Sequence, residues 1–444
     1  MIYLYSLALW LLFPYIFFRL VWRARRQPEY LQHIGERFGF YSLRSSKPII
    51  WLHAVSVGET RATQTLVARL ITSYPDHQIL LTNTTPTGRS TSEQLYGNSV
   101  LRAYLPYDYS FAVKRFVRYF QPRLGILMET EIWFNLIHSC HRSGTPVLLL
   151  NARMSEKSSR GYARFSQLTL NAFNELSAIA AQTAEDAARL SKLGAKNVSV
   201  TGNVKFDIDP PLHMFELGEQ LRRQLGPHRS ILLAASTRDG EEELLLDAMQ
   251  SINIPGFLLV VVPRHPQRFP VVAEMLKQRD IPFVFRSELT QSESSDTTSC
   301  SLQAIDPDIK VVVGDSMGEM FAYYVATDLA FIGGSLLPFG GQNLIESCAV
   351  GTPVLLGPHM YNFEEAARLA ISAGAAIQVS DMVEFAGRLR DFFNNPVIQI
   401  NMSKQSIDFV AANRGATEKS LQLAMRYLKV PTHPDSELPA RSSR

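Results

Sequence analysis

A glutamate that follows an apolar run and opens a helical pattern sits where an α/β sheet presents its chemistry. Glu59 has that address, in His53-Ala-Val-Ser-Val-Gly-Glu59 after the apolar Ile49–Ala54. A partly desolvated carboxylate at such a junction can act as general base towards a substrate hydroxyl; an ordinary first-turn acid complementing the helix dipole has the same address. Met128-Glu-Thr-Glu-Ile-Trp133 brings two more carboxylates to the end of another apolar run, and two negative groups in one crevice call for a cation. Lys205, in Gly202-Asn-Val-Lys-Phe-Asp207 after Val198–Thr201, is the candidate partner of Glu129. The pair reads either as a structural ion pair or as a device that stabilises charge at a reacting centre.

A second kind of chemistry lies further along. Phe331-Ile-Gly-Gly-Ser-Leu-Leu-Pro-Phe-Gly-Gly-Gln-Asn-Leu-Ile-Glu346 is an apolar run broken by two glycine pairs that restarts as a helix. Unpaired N–H groups and the positive end of the macrodipole make a helix start receptive to an anion, and glycines let backbone approach a phosphate closely. Asn343 and Glu346 fall one turn apart there, with Glu346 able to take two ribose hydroxyls. The alternative is that Gly333, Gly334, Gly340 and Gly341 only shape tight turns. Val262-Pro-Arg-His-Pro-Gln-Arg268 adds Arg264, whose planar fork suits a phosphate or carboxylate. Gly314-Asp-Ser-Met-Gly-Glu319 is a glycine-bracketed turn entering a helix. Together these phosphate-friendly loops point to a nucleotide site.

Metal signals are poor. Asp306-Pro-Asp308 reads as loop, and His138-Ser-Cys-His141 lacks a second ligand pair, so neither a metal nor another cofactor is expected. No Walker-type lysine loop and no G-x-S-x-G elbow occurs, which argues against an NTPase or an α/β-hydrolase.

The elements that must position these groups alternate short apolar runs with helical stretches, the pattern of parallel sheets covered by helices on both faces. Strands are expected at Ile49–Ala54, Gln78–Thr82, Leu124–Met128, Val147–Leu150, Ala178–Gln182 and Val198–Thr201. A second series follows Asp209-Pro-Pro211: Ser230–Ser236, Phe257–Pro263, Phe283–Phe285, Ile309–Val313, Leu329–Ile332 and Pro353–Leu356. Ligands of open α/β sheets bind beyond the carboxyl ends of strands, which is where Glu59, Glu129, Lys205, Arg264 and the two glycine-bearing turns fall. The 444 residues suit two domains of about 200 residues each. A net charge of +3 calls for no nucleic acid. Cys140, Cys300 and Cys348, odd in number and far apart, fit a reducing compartment. The Ser/Thr-rich stretch from Ser287 to Ser301 reads as an exposed loop, and the tail 431–444 as disordered.

The first 18 residues carry no charged side chain, and Arg19, Arg23, Arg25 and Arg26 follow. A spanning helix needs about 20 apolar residues, so this segment is marginal, with Pro14 inside it. The order apolar then basic is the reverse of a secretory signal and places the remaining chain on the cytoplasmic side of a membrane. The competing reading is a first helix buried against the protein itself.

Several of these motifs occur together and in order: Gly35-Glu-Arg-Phe-Gly39, His53–Glu59, Thr84-Thr-Pro-Thr-Gly88, Leu105-Pro-Tyr-Asp108, Met128–Trp133, Asn151-Ala-Arg153, Val262–Pro266, Gly314–Glu319 and Gly340–Glu346. On them the chain resembles the 3-deoxy-D-manno-octulosonic acid (Kdo) transferases of Gram-negative lipopolysaccharide synthesis. That resemblance implies an α/β fold of GT-B type: two Rossmann-like domains with a ligand cleft between them, and an N-terminal membrane-anchor helix. The expected boundaries are 1–22 for the anchor, 23–209 for an acceptor-binding domain and 210–430 for a CMP-sugar-binding domain, whose last helices can pack back on the first. The implied reaction moves Kdo from CMP-Kdo to the lipid A precursor lipid IVA at the inner membrane, inverting and metal-free. Glu59 would be the base, with Glu129 and Lys205 stabilising the transition state. CMP contacts carry over to Pro263, Arg264, Met317, Gly318, Glu319, Asn343, Leu344, Ile345 and Glu346. Gln342 and Arg238 stand where the family often has His, and Phe134 where Pro is common, which bears on donor affinity and acceptor choice. Glu36 is a second candidate base, ranked below Glu59 because it precedes the first strand. The alternative reading is a GT-B protein acting on a UDP-sugar, a transferase or an epimerase.

Overall fold

The computed structural model describes residues 1–249, 252–289 and 304–428. The chain divides into two compact units, Met1–Asp207 with the chain from Arg414 onward, and Ile208–Asn413. Each unit is built on its own parallel seven-stranded sheet.

In the first unit the strands are β1 (Ile49–His53), β2 (Gln78–Asn83), β3 (Leu101–Tyr104), β4 (Leu124–Met128), β5 (Val147–Ala152), β6 (Ala178–Ala181) and β7 (Val198–Val200), in the order β3-β2-β1-β4-β5-β6-β7. β1 and β4 are buried along their whole length, because helices cover both faces of the sheet. Side chains alternate between the layers. Trp51, Leu127 and Leu149 pack with Phe116 and Phe120 of helix Ser110–Phe120. Leu52, Ile126 and Leu148 pack with Leu66 and Leu70 of helix Gln64–Ser73 and with Leu421 of helix Ala416–Leu428. Gly125 is needed in β4, since a Cβ there would lie 2.7 Å from the Trp51 ring. The strand order reverses between β1 and β4, so the crevice at their carboxyl ends is the switch point where such sheets take ligands.

The second unit holds β8 (Ile231–Thr237), β9 (Leu258–Pro263), β10 (Phe283–Phe285), β11 (Val311–Val313), β12 (Leu329–Ile332), β13 (Val354–Leu356) and β14 (Ala376–Gln378), in the order β10-β11-β9-β8-β12-β13-β14. The reversal falls between β8 and β12, and β11, β9, β8 and β12 stand side by side.

Two strands escape the sequence pattern, β3 and β14. Each is short and lies at a sheet edge, where one side is not flanked by a neighbour, so Leu-Arg-Ala-Tyr and Ala-Ile-Gln need no continuous apolar run. The first unit runs to Asp207 and takes in helix Ala416–Leu428. The reason is local. The Asp207 carboxylate accepts the backbone N–H groups of Gly415 and Thr417 and caps that helix, whose Tyr427 donates to the Ser177 carbonyl at 2.8 Å. Of the Ser/Thr-rich stretch, Ser287 lies in the short helix Arg286–Leu289; residues 290–303, with Cys300, and the tail 431–444 lie outside the described residues.

The N-terminus is not the single anchor helix expected from the sequence. No single helix among the described residues is long and apolar enough to cross a membrane; Ile2–Leu11 and Phe13–Arg25 pass that test only as a pair, bent by 51°. The break falls where Pro14 occupies the first turn of the second helix, a position that needs no N–H. One side of the first helix docks on the unit: Tyr5 donates to Asp108 (2.9 Å), Ser6 to Asn135 (3.0 Å), and the Leu9 carbonyl accepts from Tyr109 (3.1 Å). Tyr3, Leu7, Leu11, Tyr15, Phe18 and Trp22 remain exposed.

Replacing Asp207 by Ala removes the cap of helix Ala416–Leu428 and is expected to cost about 1–2 kcal/mol. Hydrogen exchange read by mass spectrometry will show faster exchange over residues 416–428; unchanged protection there would mean that the cap does not hold the helix.

Candidate active site

Glu59 leaves β1 through the turn Ala54–Ser56 and enters helix Val57–Ala62 in its first turn. Ser56 is the N-cap and accepts from the Glu59 N–H, while Glu59 reaches back: Oε1 accepts from Ser56 Oγ (2.9 Å) and Oε2 from the Val55 N–H (2.8 Å). The capping reading and the chemical reading therefore meet in one residue. Burial pushes the Glu59 carboxyl up to about 7; its bonds to Val55 and Ser56 pull the other way, and the negative charges of Glu129 and Glu131 add to the rise.

Those two carboxylates come from the end of β4, which pairs directly with β1. Glu129 has a left-handed backbone (φ 59°), uncommon for a residue with a side chain and here forced by the turn off the strand. Its Oε1 lies 2.9 Å from Lys205 Nζ. Glu131 accepts the Trp133 indole N–H at 2.6 Å, and burial pushes its carboxyl above the usual range. The neighbouring loops are locked to one another. Asn151, also left-handed (φ 54°) at a bulge in β5, accepts the Val204 N–H and so fixes the turn that carries Lys205. Thr130 donates to the Arg153 carbonyl at 2.6 Å. Beneath them His53 is fully buried with Nδ1 against Thr82, and burial holds it down to about 3, so it is neutral. A half-buried carboxylate beside a lysine-answered one can take a proton from a hydroxyl and stabilise charge that develops next to it.

Glu36, the second candidate base, is engaged elsewhere. It accepts from Arg89 (2.7 Å) and from the Tyr104 N–H (2.7 Å), beside the buried Arg37.

In the second unit the loops after β9, β11 and β12 open on the same sheet edge, as the strand order requires. The glycine segment differs from the sequence expectation. The N–H groups of Gly334 and Leu336 are taken by a side chain, Glu241, at 2.6 and 3.1 Å, together with that of Arg238 at 2.9 Å. Gly340 and Gly341 have φ values of 93° and 73°, and a Cβ at either would collide with Asn362 or Met360. These glycines shape the loop rather than line it. The helix that follows, Ile345–Ala349, has five residues and a correspondingly small dipole. Asn343 accepts the Ile345 N–H (3.1 Å) and donates to Glu346 (3.0 Å); Leu344 and Ile345 are fully buried and offer a ligand only their backbone.

Pro263 ends β9 in the core, and Arg264 next to it is exposed. Their loop is tied down by Arg268, which pairs with the buried Glu242 at 3.0 Å. Met317 is 68% exposed at a turn where Gly318 has φ 85°. Glu319 accepts from Ser316 (2.7 Å) and faces the buried Arg286 guanidinium at 3.4 Å. Arg238 lies against the Phe339 ring and within 3.1 Å of His265.

Among the described residues no group of three or more His, Cys, Asp or Glu side chains is placed to hold a metal ion. His138 pairs with Glu175 at 2.8 Å, and Asp306 accepts the Asp308 N–H in a local turn. Sequence reasoning passed over Glu241 and Glu242, and met Asp108 only as the end of the Leu105–Asp108 motif. The first two sit in an acidic run at a helix start, Glu241-Glu242-Glu243, which reads as solvated dipole complement, although the first two are fully buried.

Comparison with known proteins places this geometry. Residues 32–208 match the family profile described as 3-deoxy-D-manno-octulosonic-acid transferase. The chain is 38% identical to the 3-deoxy-D-manno-octulosonic acid transferase of Bordetella pertussis, over 94% of this chain and 97% of that one. It is 35% identical to the enzyme of that name from Haemophilus influenzae, over 91% and 93%. Among solved structures it is similar to a glycosyltransferase from Rickettsia africae (TM-score 0.57, 13% identity, 87% of this chain and all of that one). It is also similar to the UDP-GlcNAc 2-epimerase from Neisseria meningitidis (TM-score 0.56, 13% identity, 85% of this chain and all of that one). At those identities the two structures speak to fold alone, which is that of GT-B glycosyltransferases and epimerases. With sequence identity running through nearly its whole length, the chain belongs to the family of 3-deoxy-D-manno-octulosonic acid transferases.

Proposed function

We propose that this protein transfers Kdo from CMP-Kdo to the lipid A precursor lipid IVA in lipopolysaccharide synthesis, with inversion at the anomeric carbon. The observation that carries the reading is Glu59: a carboxylate raised to about 7 beside a lysine-paired second carboxylate, at the switch point of the first sheet. The acceptor hydroxyl gives its proton to Glu59 as its oxygen bonds to the anomeric carbon; the bond from that carbon to the CMP phosphate oxygen breaks, and CMP leaves with the electron pair. Lys205 and Glu129 stabilise charge at the reacting centre. On the donor side Arg264 suits the phosphate or the sugar carboxylate. The Met317–Glu319 turn and the Asn343–Glu346 helix start supply backbone and carboxylate groups for cytidine. CMP leaves as a monophosphate, so less charge must be neutralised than for a diphosphate.

The exposed apolar side of the N-terminal helices, followed by Arg19, Arg23 and Arg25, supports attachment to the inner membrane from the cytoplasmic side. The helices lie on the unit with one side and meet lipid with the other, which brings the first domain to the surface that carries a lipid-linked acceptor.

Because Glu59 must be ionised to act, kcat/KM is expected to fall about tenfold per pH unit below about 7. E59Q should lower transfer by about 10²–10⁴ without unfolding the protein. E131Q removes a like charge, lowers the Glu59 pKa and moves the acid limb to lower pH. Near-normal turnover of E59Q would sink the assignment. In thermal-shift measurements CMP should raise the melting temperature more than UDP does; the opposite preference would favour a UDP-sugar enzyme. Replacing Leu7 and Leu11 together by Glu should reduce flotation with anionic vesicles, and undiminished flotation would place the membrane contact elsewhere.

A further inference from the structure

The first helix makes contacts that an anchor does not need. Asp108 is 4% exposed, and its carboxylate accepts the N–H groups of Asn135 (3.0 Å) and Leu136 (2.9 Å), the first turn of helix Phe134–Arg142. Capping alone would end there. A further donor, the Tyr5 hydroxyl, arrives from the N-terminal helix at 2.9 Å. Ser6 bonds the Asn135 side chain, which itself donates to the Asp108 carbonyl at 2.6 Å. The Tyr5 ring meets Phe134 edge-on at 5.1 Å. Three contacts from the adjacent Tyr5 and Ser6 thus hold the start of one particular helix.

That start is the downstream anchor of the carboxylate segment. Trp133 is the N-cap position of the helix, and its indole N–H holds Glu131. Glu131 acts on Glu59 through its charge. Between Glu129, whose backbone is left-handed, and Phe134 the segment carries few hydrogen bonds of its own: Ile132 bonds back to Thr130, and Thr130 to Arg153, while Ile132 and Trp133 pack on the core and the Trp133 ring meets His53 edge-on. Where the helix begins therefore sets, together with that packing, where Trp133 points and how Glu131 is oriented.

We infer that the N-terminal helix is a positioning element of the reaction centre, with Tyr5 acting through Asp108 and the start of helix Phe134–Arg142 on Trp133 and Glu131. This rests on the carboxylate cluster being the reaction centre. The same helix then has two tasks, lipid contact on one side and alignment of the site on the other, and a bilayer-spanning arrangement would undo the second by withdrawing Tyr5, Ser6 and Leu9 from their partners.

The test uses the full chain in detergent micelles, where bilayer affinity plays no part. Y5F keeps the ring on Phe134 and removes only the hydroxyl. It is expected to lower kcat about tenfold, the size of one hydrogen bond to a charged group, with KM for CMP-Kdo changed less than about twofold. In protein labelled with ¹⁵N-tryptophan, the Trp133 indole N–H resonance, assigned with W133F, should move in Y5F while that of Trp51 stays in place. D108N should shift the same Trp133 signal in a protein that still melts cooperatively. A Trp133 resonance unmoved in Y5F, with kcat within about twofold of the parent, overturns the proposal. So does movement of all four tryptophan signals, which would mark a general loss of packing. Should the parent chain transfer no Kdo at all, the proposed function fails, while the Trp133 resonance still reports on the latch.

Discussion

Three carboxylates share the edge of β1 and β4 with one ammonium to answer them, and most of the first unit is arranged around that imbalance. Desolvation drives Glu59 towards its neutral form, and the like charges of Glu129 and Glu131 push the same way. The Val55 N–H and the Ser56 hydroxyl oppose both. The balance sits near neutrality, and under the proposed mechanism that keeps enough carboxylate at physiological pH to accept a proton and enough basicity to hold it. The Glu129–Lys205 pair is about a quarter exposed on each side, so it contributes at most about 1 kcal/mol to stability. The left-handed backbone at Glu129 costs about as much. Stability alone gives no reason for that outlay; placing an ammonium beside Glu129 at the switch point does.

The second unit solves a related problem with the opposite sign. Its loop after β12 must hold several backbone N–H groups inward with no strand to receive them, and Glu241 supplies the acceptor from a neighbouring helix. Burial raises the Glu241 carboxyl, and four N–H donors, from Gly334, Arg238, Leu336 and Leu337, oppose the rise. A carboxylate inside the loop also repels any anion that would enter there. Under the proposed function a phosphate is accordingly better served further along, by Arg264 and by the backbone that follows Asn343. Glu242 does for Arg268 what Glu241 does for the glycines, so two adjacent acids on one short helix set the shape of two ligand-edge loops.

Legibility in the sequence followed burial on two sides. Central strands such as Ile49–His53 and Leu258–Pro263 are buried throughout and apolar almost to their ends because helices press on both faces, and those ends mark the site directly. Edge strands β3 and β14 carry no such run and stayed hidden. Glu59, Glu129 and Lys205 were visible because chemistry-bearing residues followed predicted strands, and the structure adds the 2.9 Å contact between two of them. The role of Glu241 was not visible, since a buried acid and a solvated acid in the first turn of a helix have the same sequence. The glycine segment fits a ligand cradle and a set of tight turns equally well in the sequence, because spacing cannot tell an N–H group turned towards a cavity from one already held by a side chain nearly a hundred positions upstream. Asp108 was noticed only within a motif, for its partners lie on elements far apart in sequence.

The N-terminal helices bring the two kinds of constraint together. Ten residues of helix extend about 15 Å, half of a hydrocarbon core about 30 Å thick, and the bend after Leu11 prevents the second helix from simply continuing the first. A segment that spanned the bilayer would also have to leave Asp108 without its tyrosine donor and the Asn135 side chain without Ser6, at a cost of about 1–3 kcal/mol for each buried polar group left unmatched. An in-plane helix keeps those bonds and still covers Tyr3, Leu7 and Leu11 with lipid. The polar contacts and the apolar exposure thus select the same arrangement, and under the proposed membrane location the surface that carries the acceptor is the one on which the carboxylate segment is ultimately braced.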